Sequence, residues 1–170
     1  MSKLFETVRV GRYTLANRLA IGPMTRSRAQ FDGMPGELAA EYYAQRADMG
    51  LIVTEGTQPS EDGQGYMATP GIHTDAHAEG WKKVADAVHA KGGRLFMQDI
   101  RVPRALGTAE ARQTVGDFRM AARRAIEAGA DGVEIHGANA YLVQQFLAPS
   151  ANVRDDEYGP GLPAHHASGR

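Results

Sequence analysis

The sequence predicts an α/β protein built on a parallel sheet, and three observations predict it. First, a helix-like segment ends at glycine three times, and a short apolar run follows within a few residues. These are Gly50 before Leu51-Ile52-Val53-Thr54-Glu55, Gly92-Gly93 before Arg94-Leu95-Phe96-Met97-Gln98, and Gly129 before Gly132-Val133-Glu134-Ile135-His136. Glycine suits the left-handed position that closes a helix, and short β-rich runs after it read as buried parallel strands. Second, the preceding segments are amphipathic. Trp81, Val84, Ala85 and Val88 share one helical face, as do Val115, Phe118, Ala122, Ala125 and Ile126. Third, the strand-like runs end in polar groups: Met24-Thr25-Arg26, Thr54-Glu55, Gln98-Asp99 and Glu134-His136. In parallel β/α architectures that end of the strands is the ligand side.

Taken in order, the elements begin with a hairpin around Gly11 and Asn17, then a strand Arg18-Leu19-Ala20-Ile21-Gly22. Residues 35–49 form a less regular helix whose face is marked by Leu38, Tyr42 and Met49. A long Gly-rich loop runs from Gly56 to His77 before the Trp81 helix. Thr108 is placed to N-cap the next helix, with Glu110 near its positive end. The order is hairpin, then β-α-β-α-β-α-β, and two architectures remain open: a doubly wound sheet and a piece of a β/α barrel. A closed eight-stranded barrel takes about 250 residues and rarely fewer than about 200.

Composition narrows the function classes. The 170 residues suffice for one domain, with 42% hydrophobic and 23% charged residues. Nineteen Lys and Arg against 20 Asp and Glu leave a net charge of −1, so no charge excess recruits nucleic acid or anionic membrane. There is no cysteine, which removes disulfides, thiolate catalysis and Cys-ligated metals. The first residues lack the apolar stretch of a signal peptide and no later run spans a bilayer, so a soluble cytoplasmic protein is expected.

Most motifs have bland explanations. Gly63-Gln64-Gly65-Tyr66-Met67-Ala68 has the spacing of a dinucleotide fingerprint, but no helix can start into Ala68-Thr69-Pro70, so it reads as a loop. His73 and His77 are four apart, yet Thr74-Asp75 between them reads as a helix start, and the pair reads as two surface histidines beside a cap. His165-His166 falls in a Gly/Pro-rich end, and Asp155-Asp156-Glu157 reads as a solvated acidic turn. His136-Gly137-Ala138-Asn139-Ala140-Tyr141 differs, because it leaves a strand end and enters a helix-like segment, Leu142-Val143-Gln144-Gln145-Phe146. Imidazole N–H and amide NH₂ can both point at a developing oxyanion, and a phenol is a competent proton donor. A histidine that merely caps the next helix is the competing reading.

The chain carries Leu4-Phe5-Glu6, Asn17-Arg18, Pro23-Met24-Thr25-Arg26-Ser27-Arg28, Thr54-Glu55-Gly56, Gly65-Tyr66 and Thr69-Pro70-Gly71-Ile72. Gly80-Trp81, Val88-His89-Ala90, Gln98, Pro103-Arg104-Ala105-Leu106, Gly132-Val133-Glu134-Ile135-His136-Gly137-Ala138-Asn139 and Gln145-Phe146-Leu147 follow. On these strings, which run over nearly all of residues 1–159, it resembles the Old Yellow Enzyme family of FMN-dependent ene-reductases, in its NADPH dehydrogenase and N-ethylmaleimide reductase branch. The resemblance implies a partial (β/α)8 TIM barrel, about four β/α units preceded by an N-terminal hairpin, with FMN at the carboxyl ends of the strands. It implies that Pro23 and Met24 line the flavin ring, that Thr25 bonds the flavin carbonyl, that Gly56 lets the backbone approach the ring, and that Gln98 holds the pyrimidine edge. It further implies that His136 and Asn139 bind the substrate oxygen while Tyr141 protonates the neighbouring carbon. NADPH or NADH would be the reductant and an activated alkene the small-molecule partner, with no metal.

The chain departs from the family in three places. After Gln98 the family continues through a long loop with a His-x-Gly-Arg segment, whereas here Asp99-Ile100-Arg101-Val102 leads directly to Pro103. After Tyr158-Gly159 the family reads Gly-Ser-x-x-Asn-Arg, whereas here Pro160-Gly161-Leu162-Pro163 follows. The second barrel half, with the loops that grip the FMN phosphate, has no counterpart. Alanine also stands at 140, where the family usually has glycine. Residues 1–158 are therefore expected to be the N-terminal half of an oxidoreductase barrel, and 159–170 a disordered non-family tail. The alternative function is an inactive half-barrel without stable FMN binding that self-associates through its open edges.

Overall fold

The computed structural model describes residues 2–160; the expected tail from 161 onward lies outside the described residues. Two short strands, β1 (Val8–Val10) and β2 (Tyr13–Leu15), form an antiparallel hairpin that turns at Gly11, whose φ is +57°. Four further strands form one parallel sheet in the order β3 (Ala20–Ile21), β4 (Leu51–Val53), β5 (Leu95–Asp99), β6 (Gly132–Ile135). The connections carry helices α1 (Ala39–Ala44), α2 (Asp75–His89) and α3 (Thr108–Glu127), and α4 (Leu142–Leu147) follows β6. Sequential strands are spatial neighbours throughout, as in a β/α barrel and unlike a doubly wound sheet, whose order reverses at a switch point.

The core lies between the sheet and the helices. Ile52, Leu95 and Met97 from the strands meet Trp81, Val84 and Val88 from α2 and Ala121 and Ala125 from α3. The Trp81 indole N–H donates to the Gly71 carbonyl at 3.0 Å, so the largest buried side chain also closes the loop ahead of α2. Thr74 caps α2 by accepting from the His77 N–H at 3.1 Å. At the amino ends of the strands, buried Asp131 accepts from His89, Arg94 and the Leu95 N–H, all within 2.9 Å. The Tyr13 hydroxyl donates to the Asp131 carbonyl at 2.8 Å, so the hairpin covers the end of the sheet opposite the predicted site.

Several local readings change. Gly92 and Gly129 are left-handed, at φ +78° and +95°, but Gly50 is not. A Cβ at Gly50 would lie 2.1 Å from the Asn17 carbonyl oxygen, so close approach is the reason for that glycine. Only residues 39–44 of the 35–49 segment are helical, and Tyr43 and Ala39 face the core while Leu38 is exposed. The α3 N-cap is Gly107, whose N–H donates to Glu110 at 2.7 Å, while the Thr108 hydroxyl donates to Asp156. Of the predicted α3 face, Ala125 is buried but Val115 and Ile126 are half exposed, because the core is reached through the smaller Ala111, Thr114 and Ala121. His77 is buried, its Nε2 donating to the Asp32 carbonyl at 2.9 Å, so it is not a surface residue. No helix among the described residues is long and apolar enough to cross a membrane.

Trp81→Phe should destabilise the fold by about 2–4 kcal/mol, through lost volume and an unpaired Gly71 carbonyl. Urea denaturation followed by far-UV circular dichroism checks this.

Candidate active site

The predicted site residues gather at the carboxyl ends of the parallel strands. Pairing of Gln98 with Glu134 in the register of β5 and β6 turns both side chains to the same face of the sheet. There the Gln98 amide N–H donates to Glu134 at 2.5 Å, which leaves its carbonyl oxygen and second N–H available. His136 is one residue beyond β6, and its ring centroid lies 4.9 Å from that of Tyr141. Asn139 and Ala140 between them are both left-handed, at φ +54° and +61°, and this double turn folds the chain back so that Tyr141 returns to His136. Asparagine tolerates that region; alanine is strained there.

Thr25, Gly56 and Tyr141 line one small cleft together with Tyr66, Ile100 and Val102. Its volume is about 20 Å³, room for a water but not for a flavin ring. Gly56 is required from inside the chain, since a Cβ there would lie 2.5 Å from Ile100 Cγ2. Pro23, Met24, Thr25 and Asn139 are exposed. The side chains of Thr25, His136 and Asn139 make no hydrogen bond to other described residues, so this donor set is unspent. In chemistry it fits a flavin pyrimidine edge and a substrate oxygen, although of the three residues only Thr25 lines the small cleft.

Two positioning elements escaped the sequence reading. Glu55, buried at the end of β4, accepts from the Arg26 backbone N–H at 3.0 Å and from its guanidinium at 2.8 Å. The guanidinium also stacks 3.6 Å from the Tyr42 ring centroid, so the turn that presents Thr25 is clamped from both sides. The second is the segment 99–102. Ile100 N–H donates to Thr57, Val102 N–H to Gly63, His136 N–H to the Asp99 carbonyl and Leu142 N–H to the Arg101 carbonyl. The buried Arg101 guanidinium spans Asp62 at 2.6 Å and Asp117 at 3.2 Å. A larger open groove of about 930 Å³ lies by α1, lined by Arg26, Tyr42, Glu55 and Trp81 among others, and it includes none of the predicted site residues. Among the described residues no cluster of three or more His, Asp or Glu could hold a metal ion.

The NADH:flavin oxidoreductase / NADH oxidase family model matches residues 3–107 and 99–165. The chain belongs to the Old Yellow Enzyme family. Chanoclavine-I aldehyde reductase of Penicillium roqueforti is 40% identical over 94% of this chain and 52% of its own length. For 12-oxophytodienoate reductase 1 of Oryza sativa subsp. japonica the figures are 41%, 94% and 51%. Among solved structures, the old yellow enzyme homologue from Zymomonas mobilis superposes with a TM-score of 0.89 at 38% identity, over 94% of this chain and 55% of that one. Morphinone reductase gives 0.88 at 40%, over 93% and 54%. The four β/α units are thus part of the family's eight-unit barrel, and the chain spans about half the length of the relatives it matches. The first alignment runs over 192 residues against 94% of a 170-residue chain, so about thirty positions of the relative have no counterpart here. The two family-model segments meet at residues 99–107, the place where the sequence was read as lacking the family's long loop after Gln98.

Two stability predictions follow from this site. Asp99 is fully buried and both carboxyl oxygens lack a partner among the described residues. Burial pushes its pKa from the usual 3.8 up to about 7. The folded state therefore holds the proton more tightly, and stability falls as pH rises from about 4 to about 7 before levelling off, a loss on the order of 4 kcal/mol. Thermal melts at pH 4, 6 and 8 should show that fall, and Asp99→Asn should flatten it. Ala140→Gly should stabilise the chain by roughly 1 kcal/mol by relieving the left-handed alanine, as read from urea midpoints.

Proposed function

We propose that the chain serves an FMN-dependent ene-reduction, with NADPH or NADH as reductant and the activated C=C of an α,β-unsaturated carbonyl or nitro compound as acceptor. The observation that carries the reading is the meeting of His136 and Tyr141 at the end of β6, with Tyr141 in the same cleft as Thr25 and Gly56. The names of the relatives support the acceptor class, since an aldehyde, an oxo acid and a morphinone each carry a carbonyl. Bound FMN would supply hydride to the β-carbon of the alkene. Thr25, the Pro23-Met24 backbone and Gln98 would hold its ring, Gln98 through the carbonyl oxygen and N–H that Glu134 leaves free. His136 and Asn139 would donate hydrogen bonds to the acceptor oxygen, stabilising the negative charge that develops there. Tyr141 would donate its phenolic proton to the α-carbon.

One observation favours a second reading, a half-barrel without stable flavin binding that pairs with a second copy of itself. Among the described strands β6 is an edge whose Ile135 is 58% exposed, α3, which packs against β6, carries the half-exposed Val115 and Ile126, and β3 is the opposite edge. A two-fold along the barrel axis would set each β6 beside the partner's β3 and close eight strands.

Titration with FMN, followed by flavin fluorescence, and then anaerobic NADPH and 2-cyclohexenone separate the two. The first reading expects a yellow protein that bleaches with NADPH and recovers its colour with the enone. Tyr141→Phe should then lose roughly a hundredfold or more in turnover while bleaching at the original rate. Full turnover by that variant would remove Tyr141 from the donor role. A colourless protein that sediments as a dimer supports the second reading.

A further inference from the structure

We infer that Tyr66 is a positioning residue for Tyr141: its hydroxyl, 2.7 Å from the Tyr141 hydroxyl, sets the direction of that phenol and keeps it protonated until a substrate takes the proton. The inference rests on the reading of Tyr141 as proton donor. Nothing in the 56–74 loop reads as catalytic from sequence, since its fingerprint-like glycines only form a turn. The structure gives those glycines a different use. A Cβ at Gly65 would lie 1.8 Å from Val102 Cγ2, so the loop is pressed onto the 99–102 segment, and the next residue, Tyr66, projects across the cleft to Tyr141. The placement is reinforced on the other side, where the Thr69 hydroxyl donates to the Tyr66 carbonyl at 2.9 Å and the Ala29 N–H donates to the Ala68 carbonyl at 2.9 Å.

The geometry matters for a proton donor. A phenol free to rotate presents its O–H to solvent as readily as to a substrate, whereas one held by a second hydroxyl has a single resting direction. Each hydroxyl can donate or accept, so the pair can reverse. While Tyr141 is protonated its O–H can rest on the Tyr66 oxygen. Once that proton has gone to the α-carbon, the Tyr66 O–H can turn and pass its own proton to the Tyr141 oxygen. Tyr66 is 52% exposed, so water reaches its oxygen, and a proton from solvent can restore the pair. The hydrogen bond to Tyr66, with burial second, raises the Tyr141 pKa above the ordinary phenol value, in keeping with a group that holds its proton at neutral pH. His136, 4.9 Å away between ring centroids, flanks Tyr141 from β6 and makes no hydrogen bond to Tyr66.

The experiment is Tyr66→Phe, which keeps the ring and removes only the hydroxyl. Tyrosine labelled with ¹³C at Cζ reports each phenol's titration by NMR on the chain without flavin or substrate, and Tyr141→Phe identifies the Tyr141 signal. The expected result is a Tyr141 midpoint lowered by about one pH unit in Tyr66→Phe, with an unchanged thermal melt. In a flavin-loaded preparation the same variant should lose roughly tenfold in kcat with KM nearly unchanged, and the alkaline limb of its pH profile should move down with the Tyr141 midpoint. An unmoved Tyr141 midpoint overturns the inference whatever the activity. So does an unchanged kcat and pH profile in an active preparation. A wild-type chain that never reduces the enone counts against the proposed function instead, and the titration then still decides the role of Tyr66 in holding the Tyr141 proton.

Discussion

Four backbone hydrogen bonds along residues 99–102 hold the predicted site together. They join the loop after β4, the turn at Gly63, the end of β6 and the start of α4. His136 and Tyr141 hang from the last two of these, Gly56 from the first, and the Tyr66 loop rests on the side chain of Val102. The Arg101 guanidinium, buried between Asp62 and Asp117, fixes the segment from the helix side. Where the family carries a long loop, this chain makes the crossing in a few residues, and it does so by satisfying backbone groups that would otherwise be buried without partners. The same segment contains the least comfortable group in the structure, the unpartnered carboxyl of Asp99.

The two ends of the sheet are organised on different terms. At the amino ends Asp131 gathers His89, Arg94 and the Leu95 N–H, and the hairpin closes over it through Tyr13. Those groups neutralise one another, which is the pattern of a structural end. At the carboxyl ends Thr25, His136 and Asn139 are left without side-chain partners among the described residues, and the chain adopts two successive left-handed residues to present them. Unspent donors and local strain at one end of a well-satisfied framework are the physical signature of a site built for something outside the chain.

Much of this was legible in the residues. The helix–glycine–strand recurrence located β4, β5 and β6 and the helices before them, because period and capping are local properties. Thr74 was readable as a helix start for the same reason. The α3 face was legible only in part: Ala125 is buried as expected, but Val115 and Ile126 are half exposed, because close packing on the sheet selected the smaller Ala111, Thr114 and Ala121. Gly50 and Gly56 were legible as glycines with a purpose, but the purpose is contact with Asn17 and Ile100, residues remote in sequence.

By itself the sequence determined the alternation of strands and helices and the family, because these depend on spacing along the chain and on strings of residues read in order. Spacing alone left two parallel architectures open; the family resemblance implied the barrel, and the strand neighbours bear it out. Tertiary structure decided that Tyr66 meets Tyr141, that His77 is buried and that Asp99 stands alone in the core. Each of those outcomes depends on contacts between segments tens of residues apart, or on the exclusion of water by several elements at once, and neither is written in any local pattern.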